Sequence, residues 1–225
     1  MSFIDEELYH KIGDEIWGKV RARKWLGIHI LMVLYCTMHY KNSLESPLEE
    51  IRSEQELNTL LWASLFHDID KVTLYDNPDW SHPFLSAALS LWIFKSFGII
   101  SAEIDEACDL IKSSCVKISS KSYWKKMKKD EVKNPAPNEH DHSKLDKIFE
   151  ALWKIYEWDS FVDDVIKHVM FHQSFWGIKK YKPRVVISDE DALKYFSKDW
   201  FRQNKVIQYA DSYAHCFFHG IKQMK

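Results

Sequence analysis

The feature that most constrains the fold is a helical hydrophobic periodicity that recurs along nearly the whole chain. Apolar residues such as Leu8, Ile12 and Ile16 are spaced so that they share one face of an α-helix. Only six glycines and six prolines occur in 225 residues, which is few for a β-rich or loop-rich protein. We therefore predict one all-α domain over residues 1–225. The predicted helices cover residues 5–20, 25–40, 53–68, 83–97, 101–116, 144–157, 160–175, 188–196 and 199–218, and the second is expected to be buried on most sides.

One segment departs from this pattern. Residues 117–143 are polar and lysine-rich and contain Pro135 and Pro137. This composition predicts a long, mobile lysine-rich loop inserted into the helical domain. The formal net charge of the whole chain is only −2, so any contact with nucleic acid would need a local basic patch.

The cysteines and the apolar runs bear on the compartment. Four cysteines are scattered without a CxxC pair, which is typical of buried free thiols in a reducing compartment. Residues 1–7 are too acidic for a signal peptide, and the longest apolar run, residues 28–38, is too short to cross a bilayer. We expect a soluble cytoplasmic protein without membrane contact.

The most informative chemistry lies at His67, Asp68 and Lys71. Neighbouring helical side chains diverge by about 100°, so an adjacent imidazole and carboxylate can approach one metal ion from different sides. Lys71 is expected one helical turn after His67, where it could meet an anion bound by the same metal. The His-Asp dipeptide occurs by chance, so its meaning depends on further ligands elsewhere.

Further histidines and aspartates occur in helical contexts. His29 and Asp211 lie in apolar helical patterns, where an unpaired charge is costly. His82 opens a predicted helix, and His168 and His172 are spaced to share one helical face. Each has a simpler explanation: a hydrogen-bonded core histidine, a helix cap, a solvated face, or a carboxylate paired with a lysine. Their order along the chain is nevertheless the order that one metal site would need.

The order of His29, His67-Asp68 and Asp211 on an all-α background resembles the HD-domain superfamily of metal-dependent phosphohydrolases. The string ASLFHDIDK followed by HPFLSAALS is its most specific part, and the resemblance extends over most of the chain. It implies an HD-domain helical bundle in which His29, His67, Asp68 and Asp211 hold one divalent ion. The family more often has Gly where this chain has Asp70, which leaves the implied ligands intact.

Family members that bind two ions carry additional histidines. The resemblance implies His82 as the first of these. For the second we favour His172, with His168 in support. Alternatively, the segment around Ser113 falls at that position, and the site would then hold a single ion.

The implied reaction is phosphoester hydrolysis. Mixed imidazole and carboxylate ligands suit Mn, Ni, Co or Fe better than Ca, with Mg or Zn as alternatives. One or two such ions would supply hydroxide near neutral pH. Asp68 would bridge two ions, and Lys71 would neutralise charge on the phosphoryl group, so both are predicted to be catalytic.

Two basic runs bear on the substrate. In residues 117–133 lysines are interleaved with aromatic side chains, and a second basic run, residues 179–184, lies beside further aromatic residues. Both patterns fit single-stranded nucleic acid. A solvated lysine-rich loop would look the same. The predicted nucleic-acid contacts are Lys125, Lys126, Lys128, Lys129, Lys179 and Lys180.

Within the superfamily, the run FHDIDK with His82 before Ser86-Ala87 is most similar to CRISPR-associated HD nucleases. These cut single-stranded DNA with transition metals, often beside a helicase. The resemblance implies a nuclease of antiviral defence that works with a helicase or effector complex. Two alternatives remain: a nucleotide or cyclic-nucleotide phosphohydrolase that uses the same ligands, and a non-enzymatic signalling or assembly module.

Overall fold

The computed structural model describes residues 24–39, 51–71, 82–114, 144–156, 160–173 and 193–223. Within these ranges the chain forms seven α-helices and no strand, so the predicted all-α fold is confirmed. The helices are α1 (Lys24–His39), α2 (Glu54–Phe66), α3 (His82–Ser96), α4 (Asp105–Ser113), α5 (Leu145–Tyr156), α6 (Ser160–Phe171) and α7 (Lys198–Gln223).

Helix α2 lies at the centre of the bundle and contacts α1, α3, α6 and α7. Its aromatic residues Trp62 and Phe66 are fully buried, and the ring of Phe66 meets that of Phe94 edge-on at 5.2 Å between centroids. Helix α7 packs along α1 and also contacts α6. This arrangement brings helices from both halves of the chain around the end of α2.

The start of α2 follows the predicted capping pattern. The Ser53 hydroxyl accepts a hydrogen bond from the Glu56 backbone N–H at 3.1 Å. The Glu56 carboxylate accepts from the backbone N–H of Arg52 at 2.8 Å, one residue earlier than in the usual capping box. Arg202 on α7 also donates to Glu56, which fastens α7 to the first turn of α2.

Several helix boundaries differ from the prediction. Helix α4 begins at Asp105, four residues later than expected, because Lys95 donates to the Ala102 carbonyl at 2.8 Å and to the Glu103 carboxylate at 3.0 Å. These bonds hold the connecting segment against α3. Helix α6 ends at Phe171, so the expected continuation through His172 is wrong.

The predicted helix at residues 188–196 is wrong for residues 193–196, which form a turn followed by irregular backbone. Tyr195 stacks on Phe149 at 4.6 Å, and Phe196 stacks on Trp200 at 3.9 Å. The Ser197 hydroxyl then accepts from the Trp200 N–H at 3.1 Å, as a cap of α7. Aromatic packing therefore overrides the local helical pattern.

The prediction that α1 is buried on most sides holds except along one stripe. Ile28, Leu31, Tyr35 and Met38 are between 44% and 58% exposed and form a stripe along the helix. The thiols of Cys36 and Cys108 are free; that of Cys108 is buried, as expected, whereas Cys36 is only half-buried. In the described part of the chain, no helix is long and apolar enough to cross a membrane.

Some predictions fall outside the described residues. They are the first helix, the lysine-rich insertion, the loop at residues 177–187, and the six lysines expected to bind nucleic acid.

Candidate metal centre

Six side chains from five elements meet where α2 ends. All are 6% exposed or less. Two directly follow the end of α2, one opens α3, one directly follows α6, and the other two lie within α1 and α7. These residues are His67, Asp68, His82, His172, His29 and Asp211.

A first group consists of His29, His67, Asp68 and Asp211, whose ligand atoms lie within 4.8 Å of one another. His29 Nε2 is 3.0 Å from Asp211 Oδ1 and 3.2 Å from Asp68 Oδ2. His67 Nε2 is 3.3 Å from His29 Nε2 and 3.5 Å from Asp68 Oδ2. Ligands about 2.1 Å from a shared ion stand roughly 3.0–3.4 Å apart in tetrahedral or octahedral geometry. The four residues therefore fit one divalent ion.

A second group shares Asp68 with the first. Its members are Asp68, His82 and His172. His82 Nε2 lies 2.8 Å from Asp68 Oδ1, and His172 Nε2 lies 3.7 Å from the same oxygen. The other oxygen of Asp68, Oδ2, faces the first group. A carboxylate placed in this way can bridge two ions.

Hydrogen bonds fix the tautomer of two imidazoles so that each can bind a metal ion through Nε2. His67 Nδ1–H donates to the Ser64 carbonyl at 2.6 Å, and His172 Nδ1–H donates to the Val169 carbonyl at 2.7 Å. Each ring then presents its Nε2 lone pair to the cluster. His172 Nε2 is buried and makes no hydrogen bond within the described residues. Leaving such a group unsatisfied costs about 1–3 kcal/mol, so this nitrogen is suited to a metal ion.

The carboxylates give the first group a strong attraction for positive charge. Burial alone would lower the pKa of His29, but the hydrogen bonds to Asp211 and Asp68 outweigh it and raise the pKa to about 9. The same negative charge favours a divalent cation over a neutral guest.

The pKa shifts of the other residues favour the protonation states that bind metal ions. Burial opposes ionisation of Asp68, but Lys71 and His67 nearby hold its pKa well below the ordinary value. Burial lowers the pKa of His67 to about 3 and also lowers that of His82. Near neutral pH His67 and His82 are therefore neutral and Asp68 is ionised, the forms that bind metals, whereas His29 must release its proton when a metal ion binds.

Lys71 lies at the cluster, but not by the expected helical spacing. Helix α2 ends at Phe66, and the chain turns so that the Lys71 N–H donates to the Asp68 carbonyl at 3.0 Å. The Lys71 ammonium lies 2.7 Å from Asp68 Oδ2 and is nearly buried. It therefore holds the shared carboxylate directly.

His168 is not brought to either group. Its ring stacks on Trp200 at 4.6 Å, its Nε2 lies 3.3 Å from Gln203 Oε1, and its Nδ1 lies 3.3 Å from the Asn204 amide nitrogen. The expected shared face with His172 is lost because α6 ends at Phe171. We therefore do not retain His168 as a metal ligand.

Ser113, the alternative for the second-metal position, also lies elsewhere. It is exposed at the end of α4, where its hydroxyl donates to the Leu110 carbonyl at 3.1 Å. The Lys144 ammonium donates to its carbonyl at 2.8 Å. The geometry therefore favours His172 over the Ser113 segment.

Buried serine and threonine residues around the ligands were not predicted from the sequence. The hydroxyls of Thr37 and Ser64 lie 2.9 Å apart, and the Ser64 carbonyl accepts from His67. The Ser86 hydroxyl accepts from the Asp70 N–H at 3.2 Å and fastens the ligand-bearing turn to α3. The available signal was a serine inside an otherwise apolar stretch, one turn from a predicted ligand.

The HD domain family model matches residues 26–214, which is most of the chain. The chain therefore belongs to the HD domain family, whose members are metal-dependent phosphohydrolases. The buried groups of His and Asp fit the metal site that this enzyme class requires. Comparison with curated proteins and with solved structures found no match.

Proposed function

We propose that this phosphohydrolase is a phosphodiesterase that uses two divalent transition metal ions bridged by Asp68. The observation that carries the proposal is the division of the Asp68 carboxylate, with Oδ2 facing His29 and His67 and Oδ1 facing His82 and His172. Mixed nitrogen and oxygen ligands suit Mn, Ni, Co or Fe, with Mg or Zn as alternatives.

The residues of the chain have distinct roles in this proposal. Bound ions would supply hydroxide near neutral pH and polarise the phosphoryl oxygens. Asp68 and Asp211 provide the negative charge that retains the ions. The Lys71 ammonium orients Asp68 through the 2.7 Å contact and lies where it can neutralise charge on a phosphoryl group.

We further propose that the substrate is single-stranded DNA and that the enzyme is of the CRISPR-associated HD nuclease type. The support comes from the sequence: lysines are interleaved with Tyr123 and Trp124, and a second basic run lies at residues 179–184. Such segments can contact phosphates and stack on bases. The chain would then depend on a helicase or effector complex to expose the strand.

The second candidate is hydrolysis of a nucleotide or a cyclic nucleotide. Deep burial of the ligands favours it, because His67, Asp68, His82 and His172 are each 2% exposed or less. A small molecule could enter a site that is closed to a polymer.

One panel assay distinguishes these substrates. It combines single-stranded DNA, RNA, deoxynucleoside triphosphates, cyclic nucleotides and a chromogenic phosphodiester with Mg, Mn, Ni and Co. We expect the fastest turnover with single-stranded DNA and a transition metal. Faster turnover of mononucleotides would replace the nuclease proposal with the second candidate, and no hydrolysis in any arm would contradict both.

Neutralising the lysines of the insertion tests the polymer contact. Lysine-to-glutamine changes are expected to weaken DNA cleavage, most strongly at low salt, to make its salt dependence shallower, and to leave the chromogenic substrate unaffected. Unchanged DNA cleavage across the salt series would contradict a role in binding. The test variant replaces Lys125, Lys126, Lys128 and Lys129, and a control of equal charge change replaces the exposed Lys112, Lys147, Lys154 and Lys198.

A further inference from the structure

Gln208 on α7 makes a buried contact with the end of α6. Its side-chain Nε2 donates to the Phe171 carbonyl at 3.3 Å and to the Asn204 side-chain oxygen at 3.1 Å. Both neighbours are oxygens, so the amide nitrogen must face them. Phe171 is the last residue of α6, where helix carbonyls lack partners within the helix. Gln208 therefore supplies a partner to the terminal carbonyl of α6.

This contact lies directly before a residue of the second group. His172 follows Phe171 in the chain, and its own Nδ1 is tied to the Val169 carbonyl at 2.7 Å. The backbone at the end of α6 is thus held on two sides, by the helix itself and by Gln208. Movement of the Phe171 peptide would move the His172 ring.

The same face of α7 also carries a residue of the first group. Gln208 and Asp211 are three positions apart, which places them on neighbouring turns of one helix face. Asp211 faces His29, whereas Gln208 contacts the segment that leads to His172. One surface of α7 therefore touches the first group and the residue that precedes His172 of the second.

The energetics of Gln208 argue against a purely stabilising role. The residue is 5% exposed, and its Oε1 makes no hydrogen bond within the described residues. A buried, unsatisfied acceptor carries a desolvation penalty, which offsets the gain from the bonds of the amide nitrogen. An apolar side chain of similar size would fill the same space without that penalty, and the Phe171 carbonyl would then lack its donor from α7.

We propose that Gln208 is a positioning residue that sets the place of His172 relative to Asp211, and so the separation of the two ions. This inference rests on the proposed two-ion site. Partners that orient a metal ligand typically change metal affinity or activity by about 10–100-fold when they are removed.

The test compares two glutamines of the same helix. Gln208→Met keeps the length of the side chain and removes the donor to Phe171. Gln203→Met is the control, because Gln203 contacts His168 and neither ion group. Calorimetric titration with Mn²⁺ counts the ions and their affinities, and electron paramagnetic resonance reports whether two Mn²⁺ ions are coupled. Thermal unfolding of the metal-free proteins reports stability.

For Gln208→Met we expect one tight Mn²⁺ ion, a second ion weakened about 10–100-fold, loss of the coupled signal, and an unfolding temperature near that of the wild type. Gln203→Met should bind both ions like the wild type. If Gln208→Met does not fold, Gln208→Asn, which keeps the amide on a shorter side chain, should show the same loss.

One result would refute the role of Gln208, and another would refute the two-ion site. A wild type that binds two ions and a Gln208→Met variant with unchanged affinities and coupling would refute the role of Gln208 and leave the two-ion site standing. A wild type that binds one Mn²⁺ ion or none would refute the two-ion site itself, and this inference with it.

Discussion

Asp68→Asn distinguishes a site with two ions that share Asp68 from a site with a single ion. Asparagine keeps the shape of the side chain and removes the negative charge shared by both groups. Asp211 belongs to the first group alone, so Asp211→Asn should still leave the second group able to bind an ion. The pair of variants therefore predicts different metal counts: none for Asp68→Asn and one for Asp211→Asn.

The cost to the metal-free protein follows from the contact with Lys71. Its ammonium lies 2.7 Å from Asp68, and neither side chain is more than 9% exposed. Removing one partner of a buried pair costs about 3–5 kcal/mol, and the amide oxygen that remains places Asp68→Asn near the lower limit. Since 1 kcal/mol corresponds to about 2–4 °C in a chain of this size, we expect the unfolding temperature to fall by about 6–12 °C.

The effect of added metal is a separate quantity. A ligand at one hundred times its dissociation constant stabilises the folded state by about 2.7 kcal/mol. Each bound Mn²⁺ ion should therefore raise the unfolding temperature by about 5–11 °C, so the wild type with two ions should gain about 11–22 °C and Asp68→Asn should gain nothing. Differential scanning fluorimetry with and without Mn²⁺ measures both shifts, and elemental analysis counts the ions.

Asp109→Asn is the matched control, because Asp109 is exposed on α4 and lies in neither group. It should behave like the wild type in both measurements. A wild-type metal count or a full Mn²⁺ shift in Asp68→Asn would refute the shared-ligand reasoning.

Three further outcomes are expected. Lys71→Met should bind Mn²⁺ at least as tightly as the wild type, because the ammonium no longer competes for Asp68 Oδ2. Its kcat should fall. Weaker Mn²⁺ binding at an unchanged kcat would contradict both expectations. Burial beside another carboxylate raises the pKa of Asp164 to about 6, so its ionisation in the folded state destabilises the protein as pH rises from about 4 to 6. Asp164→Asn should therefore raise the free energy of unfolding by about 1–3 kcal/mol at pH 7 and hardly at all at pH 4, and equal gains in denaturant titrations at both pH values would refute that cause. Ser53→Ala removes the acceptor for the Glu56 N–H and should lower the free energy of unfolding by about 1 kcal/mol, whereas an unchanged urea midpoint would show that the cap is dispensable.

The helical fold was predictable because its signals are local. The start of α2 at Ser53 and the end of α3 before Gly98, which has a φ of +72°, follow from capping and from the conformational freedom of glycine. The start of α4 was not predictable, since side-chain contacts of Lys95 with residues seven and eight positions later decide where the connecting segment lies. The turn at residues 193–196 likewise depends on aromatic partners that are distant in sequence.

The candidate site was predictable in its members and less so in its geometry. The order of His29, His67-Asp68 and Asp211 indicated which residues would meet. The spacing of His168 and His172 indicated a shared helix face, but that inference needed the helix to continue beyond Phe171. Only the packing of α6 against its neighbours separates the two histidines, which sequence periodicity cannot reveal.

The wide sequence separation within the first group has a kinetic consequence. His29 lies on the first described helix and Asp211 on the last, so the group forms only after nearly the whole chain has closed upon itself. Contacts between such distant residues are made late in folding and are weak in the transition state. A bound ion would therefore link α1 to α7, and it would slow unfolding far more than it accelerates folding.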